Sequence, residues 1–414
     1  MSSAQKSVNV KSVRATPPHL DGARRSLLFF VATLLLVEFL DELVFGVREA
    51  AWPLIRDDLH LSYTQVGVLL SVPPIFGNLV EPGLMILADV RPRRAFVLCG
   101  GVVFTAMTLF IGMSRGFPVL LLAMMLINPA SGLFVGLSQA TLMDAAPARR
   151  EQNMARWTLF GSLGNCVGPV ALGACVWASL GWRWPFYVMF GLGLLLVAAA
   201  WRLRFPAPVA EEGARRPSSF VEGMREALRS LRRVEVVRWL VLLQLGDFTW
   251  DVLRGFLALY FVDVVGVSEG RAALAVIVWT WVGLPGDLLL LPLLERVRGV
   301  SYLRVSTSVV LVLFPAFLLA PGFATKVVLL GLLGFANAGW YAILKARLYA
   351  EMPGRSGTAM TLGNVFGLVG DFVPLALGAF AERFGLGAMM WLLVAGPLAL
   401  LLGLLTVRDE ATTD

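Results

Sequence analysis

Two histidines, three cysteines and four lysines are all that 414 residues provide of those types, and only 15% of the chain is charged. A soluble domain carries about 25% charged residues, so this chain lacks the polar surface to cover itself in water. No G-x-x-x-x-G-K-[S/T] loop occurs, which argues against ATP hydrolysis within the chain. His19 and His60 lie outside the apolar runs, so no histidine relay crosses a membrane. Cys99, Cys166 and Cys175 fall inside apolar stretches and read as buried packing residues, not as a disulfide or metal site. Neither His nor Cys is placed for a nucleophile–base pair or a metal cluster, so no enzyme, no metal and no cofactor is expected. The first 25 residues lack an apolar signal core and a cleavage site, so the first apolar run is expected to be retained.

What is abundant is apolar surface: 57% of residues are hydrophobic and the mean hydropathy is +0.76. Stretches of about twenty apolar residues, bounded by charge, Pro or Gly, predict twelve membrane helices. Their limits fall near 26–50, 62–88, 94–113, 117–143, 154–178, 184–204, 239–262, 270–294, 302–320, 325–349, 357–381 and 387–407. The fold class is therefore all-α integral membrane, with twelve transmembrane helices in two six-helix bundles. A tail (1–25), a first bundle (26–204), a linker (205–238), a second bundle (239–407) and a short tail (408–414) make up the expected organisation. The net charge of +7 does not point to nucleic acid, because the arginines form short clusters between apolar runs. Both tails, alternate loops and the linker hold most of the basic residues; the other loops hold Arg56, Arg115, Arg183, Arg271, Lys326 and Arg383. The basic side is cytoplasmic by the positive-inside rule, which places both termini in the cytoplasm of a cell whose inner (plasma) membrane holds the chain. Phe220, Met224, Leu228 and Leu231 share one stripe of the linker, which predicts a surface helix at the inner leaflet.

A shift of 206 residues superimposes the halves on their rarest residues. Asp41 meets Asp247, Arg48 meets Arg254, Glu81 meets Asp287, Asp89 meets Glu295 and Glu38 meets Gln244. Gly161, Gly164 and Asn165 meet Gly367, Gly370 and Asp371. Such a register predicts two halves of the same orientation related by an axis along the membrane normal. The chain resembles the major facilitator superfamily along nearly its whole length. The loop Met85…Asp89-Val90-Arg91-Pro92-Arg93-Arg94 is similar to that family's G-x-x-x-D-R-x-G-R-R loop, and Glu295-Arg296-Val297-Arg298-Gly299 is its second-half counterpart. The resemblance implies that Asp89, Arg93, Arg94, Glu295 and Arg296 form the cytoplasmic contact between halves that controls opening. Gly161…Gly164…Gly168-Pro169…Gly173 resembles the family's antiporter motif in span 5. In span 4 the family's Arg-x-x-x-Gly is replaced by Asn128 and Gly132.

Inside the predicted spans lie charges that lipid would penalise. Glu38, Asp41, Glu42, Phe45, Arg48, Glu49 and Trp52 share about 120° of span 1, and Gln244, Asp247, Asp251 and Arg254 repeat the arrangement in span 7. A lipid-facing acid at that depth costs at least about 2.5–3.5 kcal/mol, so these faces are expected to line a polar cleft between the halves. The competing reading is a set of interhelical ion pairs that only hold the halves together. The candidate substrate or proton site comprises Glu38, Asp41, Arg48, Glu81, Asn165, Asp247, Asp251, Arg254, Asp287 and Asp371. Glu49 and Lys345, near span ends, read as snorkelling residues. The expectation is a secondary transporter, working as a monomer and proton-coupled, for a small organic solute. Acid-rich span 1 favours a cationic or amphipathic cargo and the span-5 motif favours efflux. The alternatives are uptake of an anionic metabolite on Arg48 and Arg254, and a membrane enzyme.

Overall fold

The computed structural model describes residues 18–90, 92–145, 150–203, 229, 231–294, 296–351, 362 and 366–407. Most of the predicted linker helix, the tails and Glu295 lie outside the described residues, as do the side chains of Asp89 and Asp287. Among the described residues every regular element is a helix. The first half contributes α1 (Pro18–Leu59), α2 (Tyr63–Val90) and α3 (Arg93–Met113). Its α4 runs Phe117–Ser131, passes a π-helical turn at Gly132–Gly136 and continues as Leu137–Ala145. Helices α5 (Arg150–Trp177) and α6 (Arg183–Arg202) complete it. The second half contributes α7 (Val234–Asp263), α8 (Glu269–Leu294) and α9 (Gly299–Leu319). Helix α10 is split into Phe323–Ala336 and Trp340–Ala350, α11 ends in Val373–Phe384, and α12 is split into Leu386–Leu392 and Ala395–Thr406.

Among the described residues the helical segments group into twelve helices that fall on the twelve predicted spans, with α1 overrunning its expected limits at both ends. Eight of them (α2–α6, α9, α10 and α12) are apolar and long enough to cross a membrane by length and composition alone. The shortfall in α1 and α7 has a plain cause: they carry the predicted charged faces. Long aliphatic side chains such as Val188, Leu195, Val305 and Val312 are exposed along the helix flanks, as a bilayer requires. Trp177, Trp184 and Trp201 are exposed at helix ends, where amphipathic rings prefer the membrane–water interface.

The halves meet along two repeat-related seams, α2 against α11 and α8 against α5, with α1 and α7 facing each other between them. Since α8 and α11 are the counterparts of α2 and α5, the two seams are one contact generated twice by the pseudo-twofold axis. Within the first half α1 packs most extensively on α5. Leu40, Leu43 and Val47 of α1 are buried, and the expected charged stripe lies on the other side. The glycines of α5 permit the approach: a side chain at Gly161 would strike Glu38 Oε1 at 2.6 Å, and one at Gly168 would strike the Val47 nitrogen at 2.6 Å.

Three sequence readings are corrected here. Cys99 is exposed, not buried, while Cys166 is buried and Cys175 intermediate. Glu49 does not snorkel; it is 7% exposed and faces α7. Lys326, counted above with a loop, belongs to a helix. It is buried at the start of α10, and its ammonium donates to Tyr260 Oη (2.9 Å), Phe317 O (2.7 Å) and Leu318 O (2.9 Å). The last two are orphan carbonyls at the end of α9, which a cation satisfies well.

Candidate functional site

The α1 and α7 faces come together, and Glu38, Asp41 and Glu42 of α1 each find a neighbour on α4 or α5. Ser131 Oγ donates to Asp41 Oδ1 at 2.8 Å, and Asn165 Nδ2 donates to Glu42 Oε2 at 3.1 Å. Glu38 lies against Gly161 and accepts from the Trp157 indole. Glu81 of α2 packs against the π turn of α4, where a side chain at Gly132 would strike its Cδ at 2.5 Å. Single π turns recur at functional sites because they re-aim a helix face. Here the turn begins directly after Ser131, which holds Asp41. Asn128 spends its amide on its own helix, at Met124 O (2.9 Å).

Across the cleft, Gln244, Asp247 and Arg254 are partly exposed and Asp251 is exposed. Arg254 Nε stands 3.7 Å from Glu49 Oε1, an ion pair between the halves. Phe45 serves both arginines: the Arg48 guanidinium lies 4.7 Å from its ring centre and that of Arg254 5.8 Å, with Trp279 5.7 Å from Arg254 on α8. Neither guanidinium makes a hydrogen bond among the described residues, and the Nε of each is buried without a partner. Asp371 of α11 accepts from Asn78 Nδ2 of α2 at 2.9 Å, bridging the halves at mid-height. Lys345 bonds to Tyr341 on α10.

Of the predicted site residues, Glu38, Asp41 and Arg48 lie on α1, Asp247, Asp251 and Arg254 on α7, which packs against it, and Glu81, Asn165 and Asp371 on α2, α5 and α11. The side chain of Asp287 lies outside the described residues. In the predicted gating loop, Arg94 donates to Trp201 O of α6 at 2.6 Å, within its own half. Arg93 is buried and Arg296 is exposed.

One cluster escaped sequence reasoning. At the end of the bundle remote from the chain termini, Arg56 forks onto Asp263, with Nη2 2.8 Å from Oδ1, and Tyr63 Oη donates to Asp263 Oδ2 at 2.7 Å. Glu382 of α11 accepts the Tyr63 backbone N–H at 2.7 Å and the Thr64 N–H at 3.4 Å, capping α2 from the other half. Nearby, Gly378 touches α2 so closely that a side chain there would strike Tyr63 O at 2.6 Å. Only the charge of Arg56, Asp263 and Glu382 at loop edges signalled this closure, and their pairing needs the tertiary fold. A further cavity of about 690 Å³ opens between α9 and α12, lined by Arg304, Val305, Val309, Val312, Leu401 and Leu405. It faces away from the charged cleft and its walls suit lipid.

The profile described as Major Facilitator Superfamily matches residues 34–373. The inner membrane transport protein YdhP of Escherichia coli (strain K12) is 24% identical over 369 residues, covering 87% of this chain and 91% of its own. The uncharacterized MFS-type transporter YtbD of Bacillus subtilis (strain 168) is 22% identical over 339 residues, 79% of this chain and 81% of its own. Among solved structures, the nucleoside transporter NupG superimposes with a TM-score of 0.73 at 13% identity, covering 92% of this chain and 100% of that one. A bacterial homologue of the human lysosomal transporter Spinster, in an inward-facing and occupied conformation, gives 0.69 at 16% identity, covering 94% and 95%.

Proposed function

The chain belongs to the major facilitator superfamily, and from that premise we propose a proton-coupled secondary transporter that exports a small cationic or amphipathic organic solute by alternating access. The observation that carries this reading is the gathering of acids from both halves on one cleft. Glu38, Asp41, Glu42, Glu81, Asp247, Asp251 and Asp371 outnumber Arg48, Arg254 and Lys345 there. Carboxylates withheld from bulk water are stabilised by a proton or by a cationic ligand, and exchange between the two is what an antiporter needs.

The basic residues support cytoplasmic termini, and then the Arg56–Asp263 and Glu382 contacts close the outer end. The cross-half hydrogen bonds among the described residues lie at that end and at mid-height, which supports an inward-facing state. The glycine-rich face of α5 supports export. A second reading, transport of an anion, draws support from the two guanidiniums that lack hydrogen bonds.

The test uses tetraphenylphosphonium as a cationic probe in proteoliposomes with an imposed pH gradient. The wild-type protein should concentrate the probe, while Asp41→Asn or Asp247→Asn should abolish accumulation and leave downhill exchange largely intact. Accumulation that survives in both variants would make these carboxylates structural, and Glu38, Asp251 and Asp371 the next to examine. A wild-type protein that moves the probe in neither mode would remove the cationic cargo.

A further inference from the structure

The cleft is polarised along the membrane normal. Towards its remote end stand Arg48 and Arg254, one from each half, and among the described residues Glu49 is ion-paired with Arg254, Oε1 to Nε at 3.7 Å. Each guanidinium carries five N–H donors, and buried donors are normally matched by acceptors. These two have none among the described residues; they rest on the faces of Phe45 and Trp279 instead. Ring faces attract the charge but satisfy no N–H directed at the cleft. The missing partner is an acceptor with in-plane lone pairs, and a carboxylate fits a guanidinium fork best.

Nearer the middle the sign reverses. Asp251 and Asp247 precede Arg254 by three and seven residues, roughly 5 Å and 10 Å along α7. Neither makes a hydrogen bond among the described residues; Asp247 is partly exposed and Asp251 exposed. Their cationic neighbours are Arg254 on the same helix and Lys345 on α10, whose ammonium bonds to Tyr341, while Glu49 of α1 and Asp371 of α11 add further acid beside Asp251. A purely cationic cargo would serve these acids and leave the two guanidiniums bare. A purely anionic cargo would do the reverse.

We infer that the cargo is a zwitterion lying lengthwise in the cleft, its carboxylate between Arg48 and Arg254 and its ammonium on Asp247 and Asp251. The spacing selects charges about one to two helical turns apart, so a molecule with adjacent charges reaches only one pole. Phe45 and Trp279 supply an aromatic wall for the body that joins them. The inference rests on the reading of the α1–α7 face as the cargo site. It makes the cationic and anionic readings two ends of one ligand, and leaves proton coupling as a separate matter.

Binding without any gradient tests it. Purified protein in nanodiscs is titrated calorimetrically with three probes on one benzene scaffold. These are the zwitterion 4-(aminomethyl)benzoate, its cationic methyl ester, and anionic 4-methylbenzoate. The zwitterion should bind about tenfold or more tightly than either, since each single-charge probe forfeits one set of charge-assisted hydrogen bonds. Arg48→Gln with Arg254→Gln should reduce the zwitterion to the level of the ester, and Asp247→Asn with Asp251→Asn to the level of the benzoate. Arg254→Lys, which keeps the charge but not the fork, should retain part of the preference and controls for folding.

Equal binding of zwitterion and ester overturns the inference while leaving proton-coupled export of a cation standing. Equal binding of zwitterion and benzoate overturns it in favour of the anion reading. Failure of all three probes to bind also overturns it, because the wild-type cleft then lacks both poles. Loss of driven transport with an intact zwitterion preference would instead remove the proton and keep the cargo.

Discussion

Lys326 shows how one side chain is spent on architecture. Its three ammonium protons are matched by Tyr260 Oη and two carbonyls ending α9, and the ammonium lies 5.3 Å from the ring centres of both Tyr260 and Phe317. Lys326→Met preserves the stem and removes the donors, which leaves three buried acceptors without a partner. The expected cost is about 1–3 kcal/mol, read as a lower Tm for the purified protein. An unchanged Tm would mean that water substitutes for the ammonium. Glu49 makes the complementary point, since the same residue type is structural or functional according to what faces it. Its position eight residues past Asp41 suggested an interfacial carboxylate, and only the approach of α7 makes it the partner of Arg254.

At the level of helices, close approach is decided by glycine and by breaks in regular geometry. The α2–α11 seam at the remote end depends on Gly67 and Gly378, where backbone meets backbone: a side chain at Gly67 would strike Pro374 O at 2.6 Å. Gly378→Val should wedge this seam apart. An overpacking cost of about 1–3 kcal/mol moves a two-state equilibrium roughly 5- to 150-fold, so the remote end should open in most molecules. Spin labels placed on either side of that end would separate. Unchanged distances would assign the closure to the Arg56–Asp263 and Glu382 contacts alone. Helix α10 is broken differently: Gly339 adopts φ +73°, and the turn sets Trp340 to donate to Ser306 Oγ at 2.6 Å across the second-half core. Helix α4 has its π turn at the level of Glu81, so the two halves bend their fourth helices by unrelated means.

For the whole molecule, the repeat is faithful in its seams and unfaithful in its chemistry. The α2–α11 and α8–α5 contacts are related by symmetry, yet in the first Ser71 Oγ accepts from the Leu375 amide at 2.9 Å, and in the second Trp281 Nε1 donates to Cys166 O at 3.2 Å. The acids are likewise divided, with Asp41 and Glu42 of α1 held by hydrogen bonds and Asp247 and Asp251 of α7 without one among the described residues. Such asymmetry leaves the acids of α7 available for one pole of the proposed ligand, while a guanidinium from each half makes the other. The orientation has its own test. A cytoplasmic reporter fused after Glu212 or Asp414 should be active, and a cysteine at Asp58 should react with an impermeant thiol reagent added outside. Labelling of Glu212→Cys from outside would invert the molecule and with it the assignment of the outer closure.

Twelve helices, the repeat and the two charged faces were legible in the chain because each rests on periodicity or on residues too costly to place in lipid. The pairing Asp41–Asp247 and Arg48–Arg254 could be read at a distance of 206 positions, since two halves built alike must put matched residues at matched depth. What could not be read was which acid keeps a partner. Ser131, Asn165 and Asn78 are ordinary polar residues in apolar runs, and they become the partners of Asp41, Glu42 and Asp371 only when α4, α5 and α2 close on them. Nor could the chain reveal the remote closure, where Arg56, Tyr63, Asp263 and Glu382 come from four helices spread over more than 300 positions. Composition and spacing settle what must be hidden from lipid. Only the packing of one half against the other decides whether a hidden charge is satisfied by the protein or left for a ligand.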